Sequence, residues 1–335
     1  MGRMDTITKS YVRQPDVFAD ICNYALFNGN RIVTPDCLTE RDPNELNVIF
    51  KTSDNKDIII PTQKMRDILR SVVIMNDSNT TYMIVGIENQ TDVHYAMPVR
   101  NMLYDALNYS AQTTALAKNN RADSKSSDYD FLSGLNNMDK LTPVITITLY
   151  WGTDIWDAPR SLFDMIEASP LLKNYISDYK LNLIVPSEIT DFDKFATDIG
   201  CVLNLISASG DMSKTSKIFK TNEKFAHIDR DAVILINQLL NTNYKIIENK
   251  GGTVNMCKAW DDAMEQSKEV GRSEGRSEGR SEGRREGRLE GLLEAFVENV
   301  ETLSCNMNIS IEQAVVNLGK TMTDYEMAKK SITGL

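Results

Sequence analysis

Histidine and cysteine are scarce in this sequence, and no long apolar run occurs. With His94 and His227 alone, the chain is poorly suited to a two- or three-histidine metal site or a Ser-His-Asp hydrolase. The five cysteines are widely spaced and form no C-x-x-C pair, which argues against a disulfide framework and a four-thiolate zinc site. Reduced thiols are typical of the cytoplasm, and without about 18 consecutive apolar residues we expect no membrane span.

Positive charge is also in short supply. The chain has 37 basic and 47 acidic residues, a net charge of −10. A protein that binds nucleic acid through bulk charge alone is expected to be basic. Any contact with nucleic acid must therefore come from local basic groups or from a bound cation.

The apolar patterns of the first half predict an α/β fold. Their period and composition predict a helix at 15–28, extended segments at 45–60, strands at 67–75 and 81–90, a helix at 96–117 and a strand at 143–151. The polar turn between the two middle strands favours an antiparallel hairpin. We expect a mixed central sheet with helices on its faces. Residues 160–250 are mostly helical in pattern, with candidate helices at 192–209 and 231–241.

A four-residue repeat, GRSEGRSEGRSEGRREGRLEG, occupies residues 271–291. In a helix this period places like charges at i and i+4, and each glycine costs about 1 kcal/mol relative to alanine. An isolated helix here is therefore expected to be marginal. One interpretation is a flexible, charge-balanced linker. The other, which we favour, is a long and partly helical connector whose glycines form a smooth ridge, so that the chain forms a homo-oligomer through the 271–291 repeat and the C-terminal helices.

The most distinctive local feature is a set of oxygen-bearing side chains at the ends of two predicted strands. Asp67 begins one strand, and Glu88 and Gln90 end the next. Residues i and i+2 of a strand project to the same face, so Glu88 and Gln90 point together while Asn89 points away. If the strands pair around the turn at 76–80, Asp67 lies near their common end.

Two carboxylates and an amide oxygen at one point suit Mg²⁺ or another hard divalent cation such as Mn²⁺. Such an ion polarises a phosphoryl oxygen and lowers the pKa of a bound water, which is the chemistry of phosphodiester hydrolysis. The alternative is that these are ordinary acidic residues at strand ends, because the pattern D-x₂₀-E-x-Q is weak by itself.

Several longer stretches resemble one family in their wording and order. DVFADICNYALFNG is followed by PTQKMRDIL, IVGIENQTDVHYAMPVRNMLYDALNY and FLSGLNNMDKLTPVITITLYWG. Together with WDAPRSL at 156–162 and the Glu-Gly-Arg-rich repeat, they are similar to bacterial members of the Rpn family of recombination-promoting nucleases, also labelled YhgA-like transposases. The resemblance covers nearly the whole chain. It implies a PD-(D/E)XK nuclease-like core at 1–185, a helical region at 186–265, and the repeat connector with C-terminal helices at 266–335.

The resemblance also implies an activity, that of a Mg²⁺-dependent DNA endonuclease. Asp67, Glu88 and Gln90 match the catalytic motif of the family, and Asp67 and Glu88 would bind the metal. Gln90 stands where the wider fold has the lysine of E-x-K. Its neutral amide cannot act as a charged acid or base, although it can orient a water or a phosphate oxygen.

Further site residues are expected outside this motif. Asp20, in the first predicted helix, would add a metal ligand, with Asp16 as a weaker rival; the alternative for both is an exposed helix acid. Lys64, Arg66 and Arg100 would hold DNA phosphates, whose contacts dominate affinity for DNA. The alternative for these three is a solvated charged surface.

Three functions remain open at this point. The first is a metal-dependent endonuclease that nicks or cuts DNA in recombination, mobile-element biology or defence. The second is a catalytically inactive nuclease fold that binds DNA or self-assembles as a scaffold, which the acidic net charge and the repeat favour. The third is a true transposase, which we rank last because the sequence shows no separate helix-turn-helix domain for reading transposon ends.

Overall fold

The computed structural model of the chain describes residues 3–41, 49–51, 57–59, 67–76, 79–122, 133–249 and 251–333. The chain divides into two units, Met1–Trp260 and Asp261–Leu335. Within the described ranges, no helix has the length and apolar character that crossing a membrane requires. The three-region organisation expected from the sequence stays a prediction.

The first unit alternates helices and strands. In chain order its elements are α1 (Arg3–Val12), α2 (Pro15–Phe27), β1 (Leu38–Arg41), β2 (Ile49–Lys51), β3 (Asp57–Ile59), β4 (Ile68–Asn76), β5 (Asn79–Gln90), α3 (Met97–Ala122), β6 (Val144–Tyr150), α4 (Pro170–Lys173), β7 (Asn182–Ile184), α5 (Ile199–Ser207), α6 (Met212–Thr221), β8 (Ile228–Asp229), α7 (Arg230–Leu239) and β9 (Thr253–Val254). The chain then continues into α8 (Met256–Met307), α9 (Ile311–Asn317) and α10 (Met322–Thr333).

The central sheet has five strands in the order β1-β4-β5-β6-β7. β1, β4 and β5 pair antiparallel, whereas β5–β6 and β6–β7 pair parallel. β2 and β3 form a separate antiparallel pair within the extended region predicted at 45–60. The predicted α/β class, with a mixed sheet and a helical region after it, is confirmed. The β4–β5 hairpin and the buried strand β6 form where the sequence predicts them.

The two faces of the sheet are covered by different helices. On one face, the Arg70 guanidinium of β4 lies 5.0 Å from the ring centroid of Phe18, so α2 packs there. On the other face, α3 places Asp105 against Thr146 of β6, with 2.7 Å between their oxygens. Glu88 projects to this α3 face, because its register partner Thr148 also bonds to α3.

The predicted helix at 192–209 is shorter than expected. Residues 192–194 form a single 3₁₀ turn and the α-helix begins at Ile199. The backbone N–H groups of Ala196 and Thr197 donate to the side chain of Asp20 instead of joining a helical turn. A distant carboxylate therefore sets where α5 starts, which a local pattern cannot reveal.

The second unit consists of helices. The C-terminal part of α8 packs with α9 and α10 around Val300, Ala314, Val315 and Tyr325, all of them buried. The repeat 271–291 is helical throughout, as part of the 52-residue α8, and every residue of it is exposed. The repeat is thus a continuous helix and not the partly helical segment that its glycines favour.

Candidate functional site

The candidate site lies at the end of the β4–β5 hairpin that is remote from its turn. The register pairs Ile68 with Ile87, so one further step along the ladder brings Asp67 opposite Glu88. The two carboxylates act on the same neighbours, because both raise the pKa of Arg100. The structure thus places Asp67 and Glu88 at the same end of the hairpin, where β5 also meets β6, and their convergence with Gln90 on one point stays a prediction.

Asp67 is held by a contact on each of its two oxygens. The backbone N–H of Asn89 donates to Oδ2 at 2.8 Å. The ammonium of Lys9, on α1, lies 2.8 Å from Oδ1. These two contacts fix the orientation of the Asp67 carboxylate. Its side chain is 12% exposed, so solvent still reaches it.

Glu88 is the more deeply buried of the two, with a side chain that is 0% exposed. Its Oε2 accepts a hydrogen bond from Nη2 of Arg100 at 3.2 Å. A buried carboxylate is costly without an opposite charge, and Arg100, itself 31% exposed, supplies one. Burial lowers the pKa of Arg100, but Glu88 and the Tyr104 hydroxyl outweigh it, so the net shift is upward and the guanidinium stays charged.

Tyr104 completes the α3 side of the site. Its hydroxyl accepts a hydrogen bond from Nε of Arg100. The pKa of Tyr104 is raised by burial and then by the negative charge of Glu88, with a smaller contribution from Asp67. The phenol therefore stays protonated at neutral pH and keeps a hydroxyl donor beside the carboxylates.

Gln90 ends β5 two residues after Glu88, on the same face of the strand. Its carbonyl accepts from the backbone N–H of Trp151 at 2.7 Å, which fixes the end of the strand against the chain after β6. Its side chain is half-buried. The E-x-Q geometry is thus that of a regular strand, and the role of the amide remains a prediction.

The predicted phosphate-binding residues have different outcomes. Arg100 lies at the site and points its guanidinium at Glu88. Lys64 and Arg66 lie outside the described residues. Arg70, which also flanks Asp67 in sequence, is buried on the opposite face, against Phe18 and the carbonyl of Arg13. Contact between Arg100 and DNA phosphate stays a prediction.

Asp20 belongs to a different part of the structure. Its carboxylate is 3% exposed and accepts hydrogen bonds from the N–H groups of Ala196 and Thr197 at 2.9 and 2.8 Å. The hydroxyl of Thr197 adds a third, at 2.7 Å. Both oxygens are therefore saturated by the chain that leads into α5. For Asp20 the alternative of an exposed helix acid is therefore wrong, and these hydrogen bonds disfavour the expected ligand role, which stays a prediction.

We expect Asp20→Ala to lower the free energy of unfolding by about 3 kcal/mol or more, because it leaves two buried N–H donors and a hydroxyl unpaired. Asp16→Ala is the matched control on the same helix. Its side chain is exposed, so a loss of less than about 1 kcal/mol is expected. Urea denaturation of both variants measures the difference. A stable Asp20→Ala protein with weakened divalent-cation binding would support Asp20 as a ligand.

The donors at the site fit a hard cation better than a soft one. Asp67 and Glu88 offer carboxylate oxygens, and Mg²⁺ is commonly held by one or two carboxylates with several waters. Among the described residues, no group of three or more His, Cys, Asp or Glu side chains converges as a metal site. The described residues therefore offer a two-carboxylate arrangement, in which water and substrate oxygens would complete the coordination.

Lys9 and Tyr104 are the site residues that sequence reasoning missed. Lys9 bridges two carboxylates, since its ammonium is also 2.9 Å from Asp5, one helical turn earlier. The (i, i+4) pairing of Asp5 and Lys9 is visible in sequence but is usual on helix surfaces. Lys9 reaches Asp67 because α1 packs beside β5, and no local sequence pattern predicts that packing.

A known protein family matches the part of the chain that contains the candidate site. A family model described as "Putative transposase, YhgA-like" matches residues 62–230, just over half of the chain. The match includes the β4–β5 hairpin, α3 and β6, and with them Asp67, Glu88, Gln90 and Arg100. Comparison with curated proteins and with solved structures gave no match. The resemblance inferred from the sequence is confirmed over these residues, and the chain belongs to the family described as "Putative transposase, YhgA-like".

Proposed function

We propose that the protein is a metal-dependent endonuclease that hydrolyses phosphodiester bonds of DNA. The observation that carries the proposal is the opposition of Asp67 and Glu88 on adjacent strands, beside the Arg100 guanidinium. Two carboxylates with one fixed cation suit a phosphate substrate and a hard divalent ion. Membership of a family named for transposases supports DNA as the substrate, because transposition also breaks phosphodiester bonds.

The residues of the site have different roles in the proposed reaction. Asp67 and Glu88 would hold Mg²⁺ or Mn²⁺, which when bound polarises a phosphoryl oxygen and lowers the pKa of a coordinated water. Arg100 can donate to a non-bridging phosphate oxygen from the side of α3 while Glu88 keeps its guanidinium in place. Gln90 can orient the attacking water through its amide, but it cannot take the proton, so proton transfer must involve another group.

Supercoiled plasmid tests this function directly. Purified protein with Mg²⁺ or Mn²⁺ is expected to convert it to nicked or linear DNA, and EDTA is expected to stop the reaction. Asp67→Asn, which keeps the side-chain volume, is expected to lose the activity. Absence of conversion with either ion, by a protein shown to be folded, would refute the proposal, as would unchanged cleavage by Asp67→Asn. Joining of DNA ends instead of cleavage would favour strand transfer.

A specific observation favours a second property, self-association through α8. At each of the six repeat glycines (271, 275, 279, 283, 287 and 291), an added Cβ would meet no described atom within 4 Å beyond the adjacent backbone of the helix itself. The exposed repeat is helical despite the cost of its glycines. We infer that a second copy of the chain supplies the missing stabilisation. Self-assembly, which the scaffold alternative proposed in place of cleavage, would then accompany cleavage. The five free cysteines fit a reducing compartment, so we place the protein in the cytoplasm.

A further inference from the structure

Lys9 is the basic residue that pairs with Asp67 in the candidate site. Its ammonium lies 2.8 Å from Oδ1 of Asp67 and 2.9 Å from Asp5. Asp67 has only one other contact among the described residues, the N–H of Asn89 on Oδ2. Lys9 therefore covers one of the two Asp67 oxygens that could bind a divalent cation.

We propose that Lys9 is the cationic positioning residue of the site, and that it exchanges with the divalent ion on Asp67. This inference rests on the proposed function. The ammonium neutralises Asp67 until a metal binds. It then stays at the edge of the site through Asp5, where it is available to a phosphate oxygen. Lys9 thus supplies, from α1, the ammonium that the neutral Gln90 cannot provide.

The charge balance of the site explains why such a group is needed. Asp67 and Glu88 carry two negative charges, and Arg100 offsets one of them at Glu88. Without Lys9, the nearest opposite charge to Asp67 among the described residues would be Arg100, which already pairs with the buried Glu88. A divalent ion adds two positive charges, so Lys9 and the ion repel each other and compete for Oδ1.

The position of Asp5 makes the exchange reversible without a large movement. Asp5 and Lys9 are one turn apart on the same helix, which keeps the ammonium within reach of the Asp5 carboxylate in either state. A lysine suits this role because its ammonium is a positive charge on a flexible stem.

Mn²⁺ binding, measured by calorimetry on the full chain without DNA, tests the competition. Lys9→Met is expected to bind Mn²⁺ about 10-fold more tightly than the wild type, because the competing charge is gone. Lys9→Arg is expected to bind as the wild type does, and Asp67→Asn to lose the site. Lys214→Met is the control for loss of a lysine that pairs with an aspartate of its own helix region, since Lys214 makes an exposed (i, i+3) pair with Asp211. A purely structural role for Lys9 would not raise metal affinity.

Plasmid cleavage by the same variants tests the positioning role. At saturating Mn²⁺, Lys9→Met is expected to cleave about 100-fold more slowly and Lys9→Arg to recover most of the rate. If the wild type cleaves and Lys9→Met matches it in both assays, the inference fails and the proposed function stands. Tighter Mn²⁺ binding with undiminished cleavage would refute the positioning role. A wild type that neither binds Mn²⁺ nor cleaves would refute the proposed function, and the inference with it.

Discussion

Glu88→Gln is expected to reduce the rate of DNA cleavage by at least about 100-fold. The substitution keeps the volume of the side chain and its place opposite Asp67, but it removes the negative charge. The site would then offer the cation one carboxylate, Asp67, for which Lys9 competes. Both the affinity for the divalent ion and the rate should therefore fall. Single-turnover cleavage of supercoiled plasmid, with Mg²⁺ varied, separates the two effects.

The same substitution has a cost in stability that can be separated from the loss of activity. Arg100 would lose its charged partner in a mostly buried position, at a cost of about 1–2 kcal/mol given its 31% exposure. The double variant Glu88→Gln/Arg100→Gln removes the unpaired charge as well. We expect it to regain part of the lost stability while remaining inactive, as measured by urea denaturation and the plasmid assay.

A matched control comes from a second Arg–Glu pair in the same unit. Glu40 of β1 lies 3.5 Å from Arg13 and is exposed, so Glu40→Gln is expected to leave both stability and cleavage nearly unchanged. Cleavage by Glu88→Gln at the wild-type rate would remove Glu88 from the site. A double variant less stable than Glu88→Gln would show instead that Arg100 is held mainly by contacts other than Glu88.

The parts of the fold that could be predicted are those with a strong local pattern. Alternating β-branched residues on either side of a polar turn locate β4 and β5, and a continuous apolar run locates β6. Once the hairpin is assigned, the meeting of Asp67 and Glu88 follows from its geometry, since each register step is fixed by the pleat. Half of the candidate site was thus readable from the chain.

The remaining contacts depend on packing between distant segments. Lys9 reaches Asp67 because α1 lies beside β5, and Asp20 reaches residues 196 and 197 because α2 lies against the start of α5. The sequence does not distinguish Asp20 from an exposed acidic residue of a helix. The structure shows that Asp20 is buried and that its carboxylate accepts hydrogen bonds from backbone N–H groups. Residues separated by about 60 or 180 positions leave no periodic signal, so neither the burial of Asp20 nor the contact of Lys9 with Asp67 could be predicted from one sequence.

The repeat differs from expectation for another physical reason. Helix propensity and like charges at i and i+4 both disfavour it, yet α8 runs through it without a break. About 100° separates successive residues of a helix, so each repeat glycine is displaced by about 40° from the one before, and the glycines form a winding row with arginines on one flank and glutamates on the other. When two such helices face each other in parallel through their glycines, each arginine row meets a glutamate row. An antiparallel pair would bring like charges together.

We expect the full chain to be dimeric, and substitution of the glycine row to make it monomeric. Gly275, Gly279 and Gly283, each changed to Gln, gain helix propensity, so a free helix would become more stable while a paired one would be forced apart. Ser273, Ser277 and Ser281, each changed to Gln, are the matched control, because the serines lie on the opposite side of the helix. Light scattering coupled to size-exclusion chromatography measures the mass of each variant. A monomeric wild type, or a glycine variant that stays dimeric, would contradict self-association through this row and would leave α8 an exposed connector.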